Sequence, residues 1–275
     1  SEMCIRDSPY GPRFVEVPTD DDGMILEELE KALEQNERAK LIYVIPDFQN
    51  PSGRTWSLER RKGLLELARR YQMPILEDSP YSELRFMGED KPPLKSMDED
   101  GLVIYLGTFS KIFCPGLRVA WVAAEKSLRR RYELIKQGLD LHTSTISQLQ
   151  ILDYMLHHDL DQNVQEICTL YGERRQVMLD AMDEHMPEGV SYTRPEGGMF
   201  LWVEMPEGAD SRELLERCLK EKVAFVPGSS FFPNGGHENS MRVNYSVAGP
   251  EKIRVGVERM GRVMKEYLGE LVAAR

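Results

Sequence analysis

The sequence predicts an α/β chain: a mainly parallel sheet sandwiched by helices, followed by a smaller α+β C-terminal domain. Two patterns carry this expectation. Short apolar runs alternate with longer segments of helical spacing through the first half, as a sheet covered on both faces requires. From Ser127 to His185 the pattern turns almost wholly helical, without Pro and with two Gly, until Pro187-Glu188-Gly189 interrupts it.

Element by element, Ile25–Asn36 has helical periodicity and follows the turn-like Asp20-Asp21-Asp22-Gly23. Leu41–Ile45 is an apolar run stopped by Pro46, which reads as a buried strand. Ser57 is placed to cap a helix over Leu58–Tyr71, with Arg60 marking the polar-to-apolar turn of its surface. Pro74–Asp78, Leu102–Gly107 and Val119–Ala123 are further strands. After the helical stretch come strands at Val190–Thr193 and Met199–Val203, a helix over Ser211–Lys222, strands at Val223–Val226 and Met241–Tyr245, and a last helix from Pro250. The expected division is 9–170 for the large domain and 171–275 for the small one. Residues 1–8, Ser-Glu-Met-Cys-Ile-Arg-Asp-Ser, read as non-native sequence joined to an ordinary loop at Pro9.

Composition narrows the function. The 275 residues are 41% hydrophobic and 29% charged, ordinary for a globular protein with a substantial core. A net charge of −11 argues against nonspecific binding of nucleic acid, whose phosphates it repels. No apolar run approaches the ~20 residues of a membrane span, and no secretory signal is visible, so the expectation is a cytoplasmic protein with small-molecule partners. Cys4, Cys114, Cys168 and Cys218 are scattered without a CxxC pair and read as reduced structural thiols. The His157-His158 pair lacks metal-ligand spacing, so no metal is expected.

Five features stand at strand ends or in the loops after them, where open α/β sheets bind ligands. Lys111 follows a strand among Thr108, Phe109, Ser110, Ile112 and Phe113. Alone, such a lysine is better read as snorkelling to water. With two hydroxyl donors beside it and the forked cation of Arg118 downstream, it reads instead as an amine next to a phosphate site, the arrangement of an aldehyde cofactor held as a Schiff base. Asp78 is either a strand-end carboxylate capping a turn or a buried anion set against a protonated ring nitrogen. Tyr81 is either core packing or a hydroxyl for that ring's phenolic oxygen. Asn50 suits a turn, and its amide could also donate to the same oxygen. Arg242 is either a solvated strand charge or an inward clamp for a substrate carboxylate.

Taken in order, Gln49-Asn50-Pro51-Ser52-Gly53, Glu77-Asp78-x-x-Tyr81, Thr108-Phe109-Ser110-Lys111-x3-Pro115-Gly116-Leu117-Arg118 and Met241-Arg242-Val243-Asn244-Tyr245-Ser246 resemble class I/II aminotransferases of pyridoxal-phosphate fold type I. The resemblance runs from about Tyr10 to the end. Pro195–Trp202 and Val226–Phe231 are similar to stretches in the subgroup of 2-aminoadipate and broad-specificity aminotransferases, a module also found as the effector half of MocR-type transcription regulators. It implies pyridoxal 5'-phosphate as cofactor, with Lys111 forming the internal aldimine and shuttling the proton. Asp78 would face the pyridine nitrogen, Asn50 and Tyr81 the phenolic oxygen, and Thr108, Ser110 and Arg118 the phosphate. Arg242, with Asn50, would hold the substrate carboxylate. The implied reaction moves an amino group from an α-amino acid to a 2-oxo acid such as 2-oxoglutarate, in a homodimer. A C–S lyase of the same fold and a ligand-sensing regulator domain are the competing readings. The resemblance also implies an N-terminal truncation: a Gly-rich phosphate loop and an aromatic ring stacked on the pyridine, both expected before Pro9, have no match in this sequence.

Overall fold

The structure, a computed structural model, describes residues 11–273. The eight residues read as non-native, and Cys4 among them, lie outside the described residues.

The first sheet has strand order β3-β4-β5-β6, with β3 at Ile42–Val44, β4 at Ile75–Asp78, β5 at Val103–Thr108 and β6 at Ala120–Ala123. β3, β4 and β5 run parallel, while β6 returns antiparallel to β5. A short ribbon of β1 (Thr19–Asp20) and β2 (Gly23–Met24) precedes it, turning at the Asp-rich segment. α1 (Leu26–Gln35) and α2 (Leu58–Tyr71) cover one face, where Leu29, Leu33, Leu64, Leu67 and Ala68 pack on Ile42, Val44, Ile75 and Val103. Ser57 caps α2, accepting the Arg60 amide at 3.2 Å.

One side chain of α2 departs from the expected surface. Arg60 leaves the helix to reach Asp20 at 2.8 Å, but Arg61 is fully buried. Arg61 donates to Asp47 Oδ1 at 2.6 Å and to the carbonyls of Pro46 and Pro92 at 3.3 and 3.1 Å. A fully buried guanidinium needs such a set of acceptors.

The helical stretch is three helices: α3 (Lys126–Leu139), α4 (Thr145–His157) and α5 (Leu160–His185). Ser144 caps α4 and Asp159 caps α5, each accepting an amide of the first turn, so capping residues split a pattern that reads as continuous. β6 is exposed along its whole length, and α3 buries no residue.

The second sheet, order β7-β8-β10-β9, is antiparallel in all its pairs: β7 (Ser191–Tyr192), β8 (Phe200–Glu204), β9 (Val226–Pro227) and β10 (Ser240–Asn244). Its core is Leu201, Val203, Met241 and Val243 against Met178 and Met182 of α5 and against Ile253, Val257, Met260 and Met264 of α7 (Pro250–Ala273). α6 (Ser211–Lys220) adds Leu214 and Cys218. It ends two residues before the expected Lys222, which takes a left-handed φ of 61°, and the strand expected at Val223–Val226 pairs only at Val226–Pro227.

α5 runs unbroken through residue 171. Val164, Ile167 and Cys168 pack toward the first sheet's open face, Met178–Met182 enter the second core, and Tyr171 touches both clusters. We keep residue 171 as the proposed boundary for that reason. Gly197 sutures the two halves: its carbonyl accepts the Tyr245 hydroxyl at 2.9 Å, and a Cβ there would sit 2.2 Å from the Leu84 carbonyl oxygen. Among the described residues, no helix is long and apolar enough to cross a membrane.

Candidate active site

Strand alternation decides which side chains reach the open face of the first sheet. β4 pairs with β3 through Tyr43↔Leu76 and with β5 through Asp78↔Leu106. Residues opposite one another in a parallel ladder share a face, and so do residues two apart on a strand. Tyr43, Asp78 and Thr108 therefore stand on one face, at the carboxyl end of the parallel strands. Glu77 stands on the other, where its carboxylate accepts the amides of Leu94 and Lys95 at 2.8 Å each. Of two adjacent carboxylates, one is structural and one is presented.

Asp78 does not cap a turn. Its Oδ2 accepts the Tyr43 hydroxyl at 2.7 Å. Burial raises its pKa, and the Tyr43 bond opposes that; no cation among the described residues contributes. Tyr81 is buried edge-on to Phe200 with ring centroids 5.7 Å apart, and burial pushes its hydroxyl pKa up to about 12 despite Arg242 nearby. Among the described residues its hydroxyl takes no hydrogen bond, so it does not satisfy the core-packing reading with a paired OH.

β5 ends at Thr108, and a tight turn follows. The amide of Ser110 donates to Thr108 Oγ1 at 3.1 Å, and the two hydroxyl oxygens lie 2.9 Å apart. The amides of Phe113 and Cys114 both donate to the Phe109 carbonyl, at 2.9 and 3.1 Å, so Lys111 sits inside one closed turn. Asn163 of α5 fastens that turn by donating to the Ile112 carbonyl at 2.8 Å. Ile112 packs with Ile45, Phe48, Tyr81, Leu84 and Phe200 in the cluster under the site. Lys111 itself is half-buried and makes no ion pair among the described residues.

Arg118 has a left-handed φ of 57° and is exposed at the end of a one-turn 3₁₀ helix, Pro115–Leu117, donating to the Pro115 carbonyl at 3.0 Å. The structure brings it near Thr108 only through its neighbour: the Val119 carbonyl accepts the Phe109 amide at 3.2 Å and lies 3.2 Å from Thr108 Oγ1.

Arg242 arrives from the second sheet. It lies on β10, an interior strand, and its guanidinium stacks over Phe200 at 4.1 Å and Phe231 at 4.9 Å. Nη1 donates to Asn50 Oδ1 at 2.6 Å. A guanidinium can only donate, so this bond fixes the Asn50 oxygen toward Arg242 and leaves the amide NH₂ to face elsewhere. Arg242 Nε is buried without a partner, and burial lowers the guanidinium pKa. A buried cation with an unfilled donor calls for an anion.

Asn50, Tyr81 and Arg242 are thus in one place, joined to Asp78 through the Tyr81 side of the cluster. Lys111, Thr108 and Ser110 occupy the neighbouring strand end. Sequence reasoning missed Tyr43, Phe200, Phe231 and the Arg61–Asp47 pair. The pair was findable: Arg61 precedes Leu64 and Ala68 on the apolar stripe of α2, an unusual place for a charge. Cys114, Cys168 and Cys218 are free thiols, and burial raises Cys218 to about 11.

The profile of the family "aminotransferase class I and II" matches residues 3–260. Aromatic-amino-acid aminotransferase 1 of Thermococcus litoralis is 47% identical over 94% of this chain and 63% of its own length. A Bacillus subtilis protein, the HTH-type transcriptional regulator YisV, is 30% identical over 94% of this chain and 53% of its own. Among solved structures, a multiple substrate aminotransferase from Thermococcus profundus superposes with a TM-score of 0.92 at 46% identity, covering 96% of this chain and 66% of that one. The α-aminoadipate aminotransferase LysN from Thermus thermophilus, complexed with N-(5'-phosphopyridoxyl)-L-leucine, gives 0.89 at 40% identity, covering 94% and 67%. The chain spans 63% of the length of the T. litoralis relative. With the motif order, the strand-end geometry and these matches in agreement, the chain belongs to the class I and II aminotransferases.

Proposed function

We propose that this chain carries the cofactor and substrate residues of a pyridoxal-phosphate-dependent aminotransferase that moves an amino group from an α-amino acid to a 2-oxo acid, 2-oxoglutarate being the expected acceptor. One observation carries the reading. Arg242 crosses from the second sheet to Asn50 with its Nε buried and unfilled, a few side chains from Asp78, a carboxylate with no cation partner among the described residues. The unfilled guanidinium donor suits a substrate carboxylate, and the buried carboxylate suits a protonated ring nitrogen.

The residues fit pyridoxal phosphate. When bound, it supplies an aldehyde carbon and an electron-withdrawing ring that stabilises negative charge at the amino acid's Cα. Lys111 would supply the amine that holds the aldehyde carbon, and once the substrate's own amine displaces it, the freed amine would carry a proton to and from Cα. Asp78 accepts from the ring nitrogen, while the Tyr81 hydroxyl and the Asn50 amide donate to the phenolic oxygen. Thr108, Ser110 and Arg118 hold phosphate oxygens. Arg242 takes the substrate carboxylate bidentately and so fixes the direction of the Cα–H bond, a positioning effect. The aromatic walls Phe200 and Phe231 keep that guanidinium from folding away.

The donor is proposed to come from the aromatic and 2-aminoadipate group, on the similarity to the T. litoralis and T. thermophilus enzymes. A homodimer and a cytoplasmic setting belong to the same proposal. The YisV similarity favours one second reading, a ligand-sensing domain that binds the cofactor without sustained transfer. A panel of amino donors with 2-oxoglutarate and pyridoxal phosphate separates the two. Turnover with aromatic or 2-aminoadipate donors, lost in Lys111→Ala, is the expected result. Cofactor binding without turnover for any donor would favour the sensing reading.

A further inference from the structure

We propose that Tyr43 is a positioning residue for Asp78: its hydroxyl holds Oδ2, so that Oδ1 is the oxygen presented to the cofactor's ring nitrogen. The inference rests on the reading of Asp78 given above. Its basis is geometric. Tyr43 is on β3, directly opposite Leu76, and a parallel ladder puts it on the same sheet face as Asp78, two residues further along β4. The hydroxyl bridges the strands at 2.7 Å. The Tyr43 ring packs on the cluster of Ile45, Phe48, Tyr81 and Ile112, so the phenol is braced from below.

A carboxylate rotates about its last bond, and two equivalent oxygens give a ring N–H two alternatives. One hydroxyl fixed from a neighbouring strand removes that freedom before the cofactor arrives, as preorganised sites require. The bond also favours the ionised carboxyl where burial disfavours it. Tyr81, Lys111 in the turn after β5 and, beyond Tyr81, Arg242 are titratable groups on this side, and among the described residues none of them donates to Asp78. Glu77 points away, into the bonds with Leu94 and Lys95.

The test uses the chain with ¹³C-labelled aspartate, without cofactor, followed by equilibrium binding of pyridoxal phosphate to the same samples. In Tyr43→Phe, which keeps the packed ring, the Asp78 carboxyl is expected to titrate at higher pH than in the parent. Pyridoxal phosphate is expected to bind more weakly by about tenfold or more, the loss of one hydrogen bond to a charged group. In an Asp78→Asn background, Tyr43→Phe is expected to add nothing, since coupled residues are non-additive. An Asp78 titration unchanged by Tyr43→Phe overturns the proposal. So does an equal loss of binding in the parent and Asp78→Asn backgrounds. If Asp78→Asn alone leaves binding unchanged while Tyr43→Phe still moves the titration, what has failed is the reading of Asp78 as ring partner.

Discussion

At Asp78 a carboxylate is held with one hydroxyl and, among the described residues, no cation, which is costly for the ligand-free fold. Its pKa is raised above the ordinary value of 3.8. A group raised in the folded state binds its proton more tightly there, so the penalty is present in full above the folded pKa and vanishes as pH falls below 3.8. Asp78→Asn is therefore expected to raise the Tm of the ligand-free chain at neutral pH and to lose that advantage in acid, while weakening cofactor binding. Melting curves across pH check this; a Tm gain that persists unchanged below pH 3.8 would contradict it. Arg242 belongs to the same scale. Arg242→Ala removes the substrate carboxylate's partner but none of the proposed cofactor contacts, so KM for amino donors should rise about a hundredfold or more, as a lost charged hydrogen-bond pair implies. Loss of pyridoxal phosphate itself would mean that the residue is misassigned.

At the scale of elements, the buried Arg61 of α2 fixes the loop that bears Asn50. Its bonds to Pro46 and Asp47 hold the start of the segment that turns at Gln49–Gly53, and Asp47 also lies 3.8 Å from Arg85. Arg61→Met leaves Asp47 buried without its closest cation and should cost about 3–5 kcal/mol in a denaturant melt. A loss under about 1 kcal/mol would show that the loop is held by other means. The sequence was legible where one strong local signal governs an element: Ser57 starts α2 where expected, the run before Pro46 forms β3, and Asp78 ends β4, while β5 runs one residue past the expected Gly107 to Thr108. It was less so where the cause is tertiary. β9 is limited to Val226–Pro227, which pair with Met241 and Arg242 of β10, a register set by the neighbouring strand rather than by the local run Val223–Val226. Tyr43 was invisible because its role depends on which strand lies beside β4. The site residues themselves stood out as an ordered set of motifs, whereas the exposed, left-handed setting of Arg118 carries no signal in its side chain.

Over the whole molecule, the apolar side chains left in water are concentrated on one stretch. Trp121 and Val122 of β6, Ile135 and Leu139 of α3, and Ile146 and Leu156 of α4 are all more than a third exposed. Patches of this kind mark surfaces that associate. The proposed homodimer should therefore appear as twice the chain mass in sedimentation, and Ile135→Glu together with Leu139→Glu should shift it toward the monomer. A parent chain that sediments as a monomer at all accessible concentrations would contradict that.

The most direct measurement is where pyridoxal phosphate attaches. Incubation with the cofactor, borohydride reduction and peptide mapping should place the phosphopyridoxyl group on Lys111, with Lys111→Ala unlabelled. Labelling spread over surface lysines, or concentrated on one other lysine and unaffected by Lys111→Ala, would contradict the account.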